Sequence, residues 1–341
     1  MLILAQAYSG RAMALPPDTR VMPMSDEAIA EAARLVLAGQ PVAVPTETVY
    51  GLAADATNPE AVARIYAAKG RPSFNPLIVH VLSMEQAREL GARPDEAAER
   101  LADCYWPGPL TLVVPYSPFG RLADAVTANL GTVALRCPAH PAMRKLLAAT
   151  GRPLAAPSAN ASGTISPTRA EHVLQSLGGR VSLIIDDGPT EHGLESTIIK
   201  IANRQISVLR EGPISAKNAS SIAGLSASTE LSSKIEAPGQ LASHYAPGKP
   251  LRLDAMEAAE GEYLIGFGPV QGDVSLSATG DPIEAAARLF DVLHQADAAP
   301  HPRLAVAPIP GDGIAAAIRD RLKRAAAPRA EKTSPPASGD V

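Results

Sequence analysis

Three short stretches and three single residues at strand ends carry most of the side chains able to do chemistry. In "AAKGRPSFNPLIVHV", Lys69 and Arg71 stand where a helix stops, Asn75 and Pro76 form a turn, and His80 lies on the strand that follows. Two cations, an amide and an imidazole within twelve residues make a cradle for a polar anion. For Lys69 alone, complementing the carboxyl end of the helix is the plainer role. "APSANASGTISP" crowds Ser158, Asn160, Ser162, Gly163 and Ser166 into a turn whose hydroxyls and bare N–H groups suit phosphate oxygens. Such turns also serve as ordinary loops. Arg136, Ser196 and Arg210 stand at the ends of apolar strands. An arginine buried there needs an anion, either a carboxylate from Asp186, Asp187, Glu191, Glu195 or Glu211, or a phosphate from a ligand. In "SHYAPGKP", His244 and Tyr245 supply a ring pair able to stack on a base or cover a phosphate.

A fourth stretch, "VPTETVYGLAADA", places Thr46, Glu47, Thr48 and Tyr50 directly behind an apolar run. Polar groups left unpaired at the end of a buried strand cost about 1–3 kcal/mol each. Either the fold or a ligand must supply their partners.

The elements that position these residues follow from periodicity and punctuation. "SDEAIAEAARLVLAGQ" reads as a helix capped by Ser25 and ended by Gly39, and "NPEAVARIYAAKG" as one capped by Asn58, with Pro59 at its first position and Gly70 at its end. Helices also fit "PAMRKLLAAT" and "RAEHVLQSLGG", and strands fit "PVAVP", "PLIVHVL", "PLTLVVPY", "GTVALRCP", "PLAA", "VSLIIDD", "STIIKI" and "ISVLR". The rhythm predicts an α/β domain over 17–211 whose sheet is mixed, because the last three strands follow too closely for helical crossovers. Residues 212–248, rich in Ser, Ala and Gly, read as a long linker over the site. A smaller helix-covered sheet domain fits 249–326, and the Pro- and Ser-rich 327–341 reads as a frayed tail.

The bulk composition narrows the class. At 341 residues, 46% hydrophobic and 19% charged, the chain is expected to fold as a two-domain globular protein. A net charge of -4 with 4% aromatics gives no footprint for a dedicated nucleic-acid surface. Cys104 and Cys137 lack metal-ligand spacing and are expected to be core thiols. No apolar run reaches about 18 residues, so no membrane span is expected, and the start lacks a basic leader, which makes the cytoplasm the expected location.

Taken in order, "PTETVYGLAADA", "KGRPSFNPLIVHV", "LRCP", "APSANASG", "ESTII", "VLREG", "HYAP" and "DRLKRAA" resemble the Sua5 form of the Sua5/YrdC/YwlC family, the L-threonylcarbamoyladenylate synthases. The likeness runs from about residue 20 to 326. It implies a YrdC-like α/β domain with a twisted mixed sheet, flanking helices and a positive cavity, followed by a smaller Rossmann-like Sua5 domain. It also implies a nucleotidyltransferase reaction in which L-threonine, bicarbonate and ATP give threonylcarbamoyl-AMP and pyrophosphate. The product would pass to the downstream tRNA threonylcarbamoyl-transferase complex for modification of adenosine 37 in tRNA.

By the same resemblance, Thr48, His80, Arg136, Ala156 and Ser196 match threonine positions. Arg71, Asn75, Thr132, Ser158, Ser166, Arg210, His244 and Tyr245 match positions around ATP, while Lys69 and Asn160 belong to the family's basic and turn motifs. Lys69 and Arg71 are the choices for catalysis and Asn160 joins the ATP set. Arg136 is the choice to grip the threonine carboxylate as a fork, with Thr46, Glu47, Thr48 and Tyr50 forming a wall of that pocket, although Glu47 serves equally well as a structural acceptor. Mg²⁺ is expected to arrive with ATP, since no protein carboxylate cage is evident. Two other readings compete: an RNA-binding module, with weak RNA contact left open, and the carbamoyl-adenylating module of hydrogenase-maturation proteins, which keep Cys-rich zinc modules beside it.

Overall fold

Local capping chemistry starts and stops the helices that matter for the site. Over Pro59–Lys69, the Asn58 carboxamide accepts from the N–H groups of Glu60 at 3.0 Å and Ala61 at 3.2 Å, and Gly70 ends the helix at φ +60°. Ser25 caps Asp26–Leu37 in the same way, accepting from Ala28 at 3.1 Å.

The computed structural model describes residues 18–117, 119–227, 236–240 and 243–328. The sequence start, part of the linker and nearly all of the tail expected to fray lie outside these residues. The first sheet comprises β1 (Arg20–Pro23), β2 (Val42–Val44), β3 (Gly51–Asp55), β4 (Ile78–His80), β5 (Leu110–Pro115), β6 (Thr132–Arg136), β7 (Leu154–Ala155), β8 (Leu183–Asp186), β9 (Thr197–Ala202), β10 (Gln205–Arg210) and β11 (Ser226–Ala227). The second comprises β12 (Leu251–Arg252), β13 (Glu262–Gly266), β14 (Val274–Ser275) and β15 (Arg303–Val306). Around them pack α1 (Asp26–Leu37), α2 (Pro59–Lys69), α3 (Met84–Glu89), α4 (Glu96–Tyr105), α5 (Asp124–Thr127), α6 (Pro141–Thr150), α7 (Ala170–Leu177), α8 (Ala216–Ala223), α9 (Pro282–Ala298) and α10 (Ile314–Ala326).

The eleven strands of the first sheet run in the order β1-β8-β2-β3-β7-β4-β6-β5-β9-β10-β11. The sheet is mixed: β2 and β3, β7 and β4, and β5 and β6 pair antiparallel, whereas β4 and β6, and β5 and β9, pair parallel. Alternate residues face two apolar layers, Ala43 and Leu52 toward one with Ile65 and Leu112, Val42 and Ala53 toward the other with Ile29 and Met143. The second sheet, ordered β12-β15-β13-β14, is parallel throughout.

Three readings need correction. Only β9 and β10 form a close antiparallel pair, because β8 crosses to the far side and pairs with β1 and β2. The linker begins as ordered structure: Ser215 caps α8, whose small residues Ala219 and Ala223 are buried, and β11 extends the sheet. Cys104 is exposed, because it lies off the face of α4 that buries Ala97, Ala98 and Leu101, while Cys137 is buried as expected.

The two sheet bodies share a core. Val49, Ile165, Leu194 and Tyr245 belong to the same buried cluster as Leu289, Phe290, Leu293 and Ile318. The approach is tight at Gly193 (φ +66°), where an added Cβ would stand 2.4 Å from the Ala286 carbonyl oxygen of α9. No helix among the described residues is long and apolar enough to cross a membrane.

Candidate active site

The ends of β4, β6, β7 and β10 open onto one cavity. Register sets its floor: His80 of β4 lies opposite Arg136 of parallel β6, and Leu154 of β7 pairs with His80 from the other side, so that Ala156 follows into the wall. Thr48, His80, Arg136, Ala156, Arg71, Ser158 and Arg210 line the cavity. Pro238, Gly239, His244 and Tyr245 close the top, bringing the linker's end over the cavity. Gly239 sits at φ +86°, with space for a Cβ denied by Arg210 Cδ at 2.9 Å and the Tyr245 hydroxyl at 3.0 Å. Only ≈ 40 Å³ is left inside, which is room for a few waters but not for an amino acid with a nucleotide.

The turn after β2 is made by its own hydroxyls. Thr46 Oγ1 accepts from the N–H groups of Thr48 and Val49 and donates to the Val49 carbonyl at 2.7 Å, reversing the chain into β3. Glu47 thereby points at Arg136: its carboxylate accepts from Nη2 at 2.7 Å, from Ala139 N at 3.1 Å and from His140 N at 3.4 Å. Arg136 Nη1 donates to Thr48 Oγ1 at 2.9 Å and Nε to the Gly108 carbonyl at 3.3 Å. Arg136 is therefore not the free fork expected. Its charge is already balanced by the Glu47 carboxylate, which takes the structural-acceptor role. Burial pushes the Glu47 carboxyl up, but the charge and hydrogen bonds of Arg136 outweigh it and hold it below the ordinary range. Tyr50 also leaves the expected wall, because its hydroxyl donates to the Gly188 carbonyl at 2.8 Å. Of that stretch, Thr48 and Val49 reach the cavity.

Three other cations differ in kind. Lys69, 3% exposed, donates through Nζ to the carbonyls of Ser158 and Asn160, each at 2.5 Å, so it braces the serine-rich turn rather than its own helix end. Arg71, 9% exposed, donates to the carbonyls of Asn75 at 3.2 Å and Pro76 at 2.8 Å. Arg210, 7% exposed, donates to the Ser196 carbonyl at 3.0 Å and its hydroxyl at 3.1 Å. Among the described residues none of the three has a carboxylate within ion-pair distance. Burial accordingly drives the Lys69 ammonium well below its ordinary pKa, with Arg71 and Arg180 adding repulsion, and brings Arg71 down to about 10. Arg210 is lowered by burial as well. A buried cation without an anion is costly; of the three, Arg71 and Arg210 line the cavity, and Lys69 holds the Ser158 carbonyl at its wall.

Uncharged polar atoms tell the same story. The Asn75 amide nitrogen and oxygen, His80 Nδ1, Asn160 Oδ1, His244 Nδ1 and the Tyr245 hydroxyl are buried without a partner. Burial lowers His80 and His244 to about 3, with nearby cations adding to the effect, so both rings are neutral near neutral pH.

Of the expected threonine set, Thr48, His80, Arg136 and Ala156 line the cavity, and Ser196 stands behind it, holding Arg210 and meeting Thr111 Oγ1 at 2.7 Å. Of the ATP set, Arg71, Ser158, Arg210, His244 and Tyr245 line it. Asn160 staples its own turn through Thr164 at 2.9 Å, and Ser166 donates to Glu195 at 2.5 Å. Thr132 does not join them; it starts β6 opposite Pro115, four residues before Arg136. Glu195 does line the cavity, although the sequence marked it only as a possible ion-pair partner. It pairs with Arg321 of α10 at 2.9 Å, a contact no local signal announced.

A larger open depression of ≈ 400 Å³ lies between β12, β15 and α10, with Leu253, Ile309 and Leu322 in its walls. Its Arg319 is tied to the Ile309 carbonyl at 2.7 Å, and nothing there resembles the cationic cluster above.

Fold and site together define an α/β protein with two sheets and a cavity lined by buried arginines, hydroxyls and imidazoles. Residues 34–212 match the family model Sua5_yciO_yrdC, described as "Telomere recombination", and residues 201–327 match that described as "Threonylcarbamoyl-AMP synthase, C-terminal domain". The chain belongs to the Sua5/YciO/YrdC family. It is 38% identical over 317 residues to the threonylcarbamoyl-AMP synthase of Pyrococcus abyssi, covering 86% of this chain and 92% of that one. It is 46% identical over 233 residues to that of Bacillus subtilis, covering 67% of each. The crystal structure of P. abyssi Sua5 complexed with L-threonine superposes with a TM-score of 0.82 at 34% identity, over 90% of this chain and 98% of that chain.

Proposed function

We propose that the chain condenses L-threonine, bicarbonate and ATP into L-threonylcarbamoyl-AMP and pyrophosphate, supplying the tRNA threonylcarbamoyl-transferase complex that modifies adenosine 37. The observation that carries this reading is the trio Lys69, Arg71 and Arg210, buried without carboxylate partners beside a patch of hydroxyl and imidazole groups. The threonine-bound relative and the relatives' names support it.

The chemistry follows from the groups present. The neutral threonine amine captures the carbon of bicarbonate with loss of water, and the resulting carbamate oxygen attacks the α-phosphorus of ATP. A new oxygen–phosphorus bond forms as the bond to pyrophosphate breaks. No protein nucleophile is required; the protein holds two anions together and neutralises the departing one. Arg71 and Arg210 take the polyphosphate, with Lys69 fixing the Ser158–Asn160 turn beside it. Thr48, the N–H groups of Arg136 left over from Glu47 and the free Nδ1 side of His80 take the threonine. With its pKa at about 3, His80 is too weak a base to deprotonate an ammonium and serves instead to orient it.

Magnesium travels with the nucleotide in this reading. Among the described residues no group of three or more His, Cys, Asp or Glu side chains could hold a metal ion, and Glu195, the carboxylate on the cavity wall, is engaged by Ser166 and Arg321. Phosphate oxygens and water suit Mg²⁺ well. Because ≈ 40 Å³ admits neither substrate, the segments at Pro238–Gly239 and His244–Tyr245 must shift for entry.

The test is pyrophosphate release from ATP by the full chain. Release should require both L-threonine and bicarbonate. Equal turnover with threonine omitted would eliminate the assignment.

A further inference from the structure

Arg321 is the largest of the fully buried side chains, at 0% exposed, yet it belongs to α10 of the second domain. Bringing a guanidinium that deep is unfavourable unless every contact is made, and Arg321 makes them to two residues of the cavity wall, Glu195 and Tyr245, and to Glu211. Nε donates to Glu195 Oε2 at 2.9 Å, Nη2 donates to the carbonyl of Glu211 at 2.7 Å, and the guanidinium lies 5.3 Å from the centre of the Tyr245 ring. Nη1 donates to Asp320 at 3.0 Å on its own helix. Glu211 directly follows Arg210, so the same guanidinium pins the residue beside the polyphosphate cation.

We propose that Arg321 is a positioning residue through which the second domain completes the catalytic cavity. By holding Glu195, it keeps that carboxylate from capturing Arg210 and so leaves Arg210 charged and unclaimed for the nucleotide. Glu195 and Arg210 both face the cavity and feel each other's charge, and Ser166 takes the other carboxylate oxygen at 2.5 Å. Without Arg321, Arg210 is the cation whose charge Glu195 still feels, and their pairing takes a positive charge away from the wall facing ATP. The second domain is therefore part of the active site's electrostatics. This rests on the reading of the cavity as an ATP site.

The test is calorimetric binding of MgATP to full-length variants. Arg321→Met keeps the volume and removes the charge; ATP affinity should fall at least tenfold. Adding Glu195→Gln to it removes the competing carboxylate and should restore most of that loss, a rescue that a merely structural arginine would not show. Arg321→Lys keeps a charge but cannot span Glu195, Glu211 and Tyr245 together; affinity should fall severalfold and again recover with Glu195→Gln, so a failure of the Met variant to fold leaves the question decidable. Unchanged affinity in every variant that folds, or a loss that Glu195→Gln does not relieve, overturns the proposal. Wild-type protein that does not bind MgATP overturns instead the reading of the site on which it rests.

Discussion

Glu47→Ala isolates the buried pair at the cavity wall. Glu47 and Arg136 have side chains 4% and 5% exposed and meet at 2.7 Å. Removing the carboxylate leaves a buried guanidinium with only the Thr48 hydroxyl and the Gly108 carbonyl, and breaking a pair from one side costs about 3–5 kcal/mol. The Ala139 N–H loses its acceptor as well. At roughly 2–4 °C per kcal/mol for a domain of this size, the melting temperature should fall by about 6–20 °C. Because the damage is an uncompensated charge, Glu47→Ala/Arg136→Met should be no less stable than Glu47→Ala alone. The pH dependence has a definite sign. The folded carboxyl is held below its ordinary pKa, so the pair's contribution is complete above about pH 4.3 and fades as pH falls through the lower folded value. Wild type and variant should therefore converge in acid. Differential scanning at neutral pH decides the matter: a drop under about 3 °C, or losses in the double variant that simply add, would refute the claim that Glu47 is what keeps Arg136 buried.

The polyphosphate cations should behave in the opposite way. Arg71→Met should cut turnover by about 10²–10³-fold, the usual loss when a transition-state charge partner goes, while its melting temperature holds or rises; equal losses in both would make Arg71 structural. Lys69, held well below its ordinary pKa by burial and then by Arg71 and Arg180, should gain proton occupancy when a polyphosphate arrives. Binding enthalpies in buffers of different ionisation enthalpy should reveal proton uptake on binding; identical enthalpies would contradict it. His80 and His244, both lowered to about 3, carry no charge change between about pH 5 and 9. An inflection near pH 6.5 in kcat/KM that disappears in His80→Gln or His244→Gln would show that either ring titrates in the working enzyme.

What the sequence disclosed was mostly local. Asn58, Pro59 and Gly70 act within one turn of the helix they bound, so α2 was readable to the residue. α4 carries a similar signal, with Asp95 capping at 2.8 Å and Ala97, Ala98 and Leu101 on one face. β3 is another matter: "GLAAD" has little strand propensity, and it becomes a strand because β2 and β7 pair with it on both sides. α8 hid for a similar reason, its buried face being only alanines within a serine-rich run.

The site divided along the same line. Residue types named the anion cradle, and the structure gathers Arg71, Ser158, Arg210, His244 and Tyr245 around one cavity. Pairings across the chain were illegible. Arg136 finds its carboxylate at Glu47, 89 residues away, and not among the five acids considered for it. Arg321 finds Glu195 across 126 residues, from the "DRLKRAA" stretch of the second domain. No sequence period encodes such a contact; the packing of two domains does.

A structure of the full chain with L-threonine and a non-hydrolysable ATP analogue bears most directly on the account. The triphosphate should lie within hydrogen-bonding distance of both Arg71 and Arg210, with threonine against Thr48, His80 and Arg136. A nucleotide seated elsewhere, with Arg71 and Arg210 still bonded only to backbone and Ser196, would contradict it.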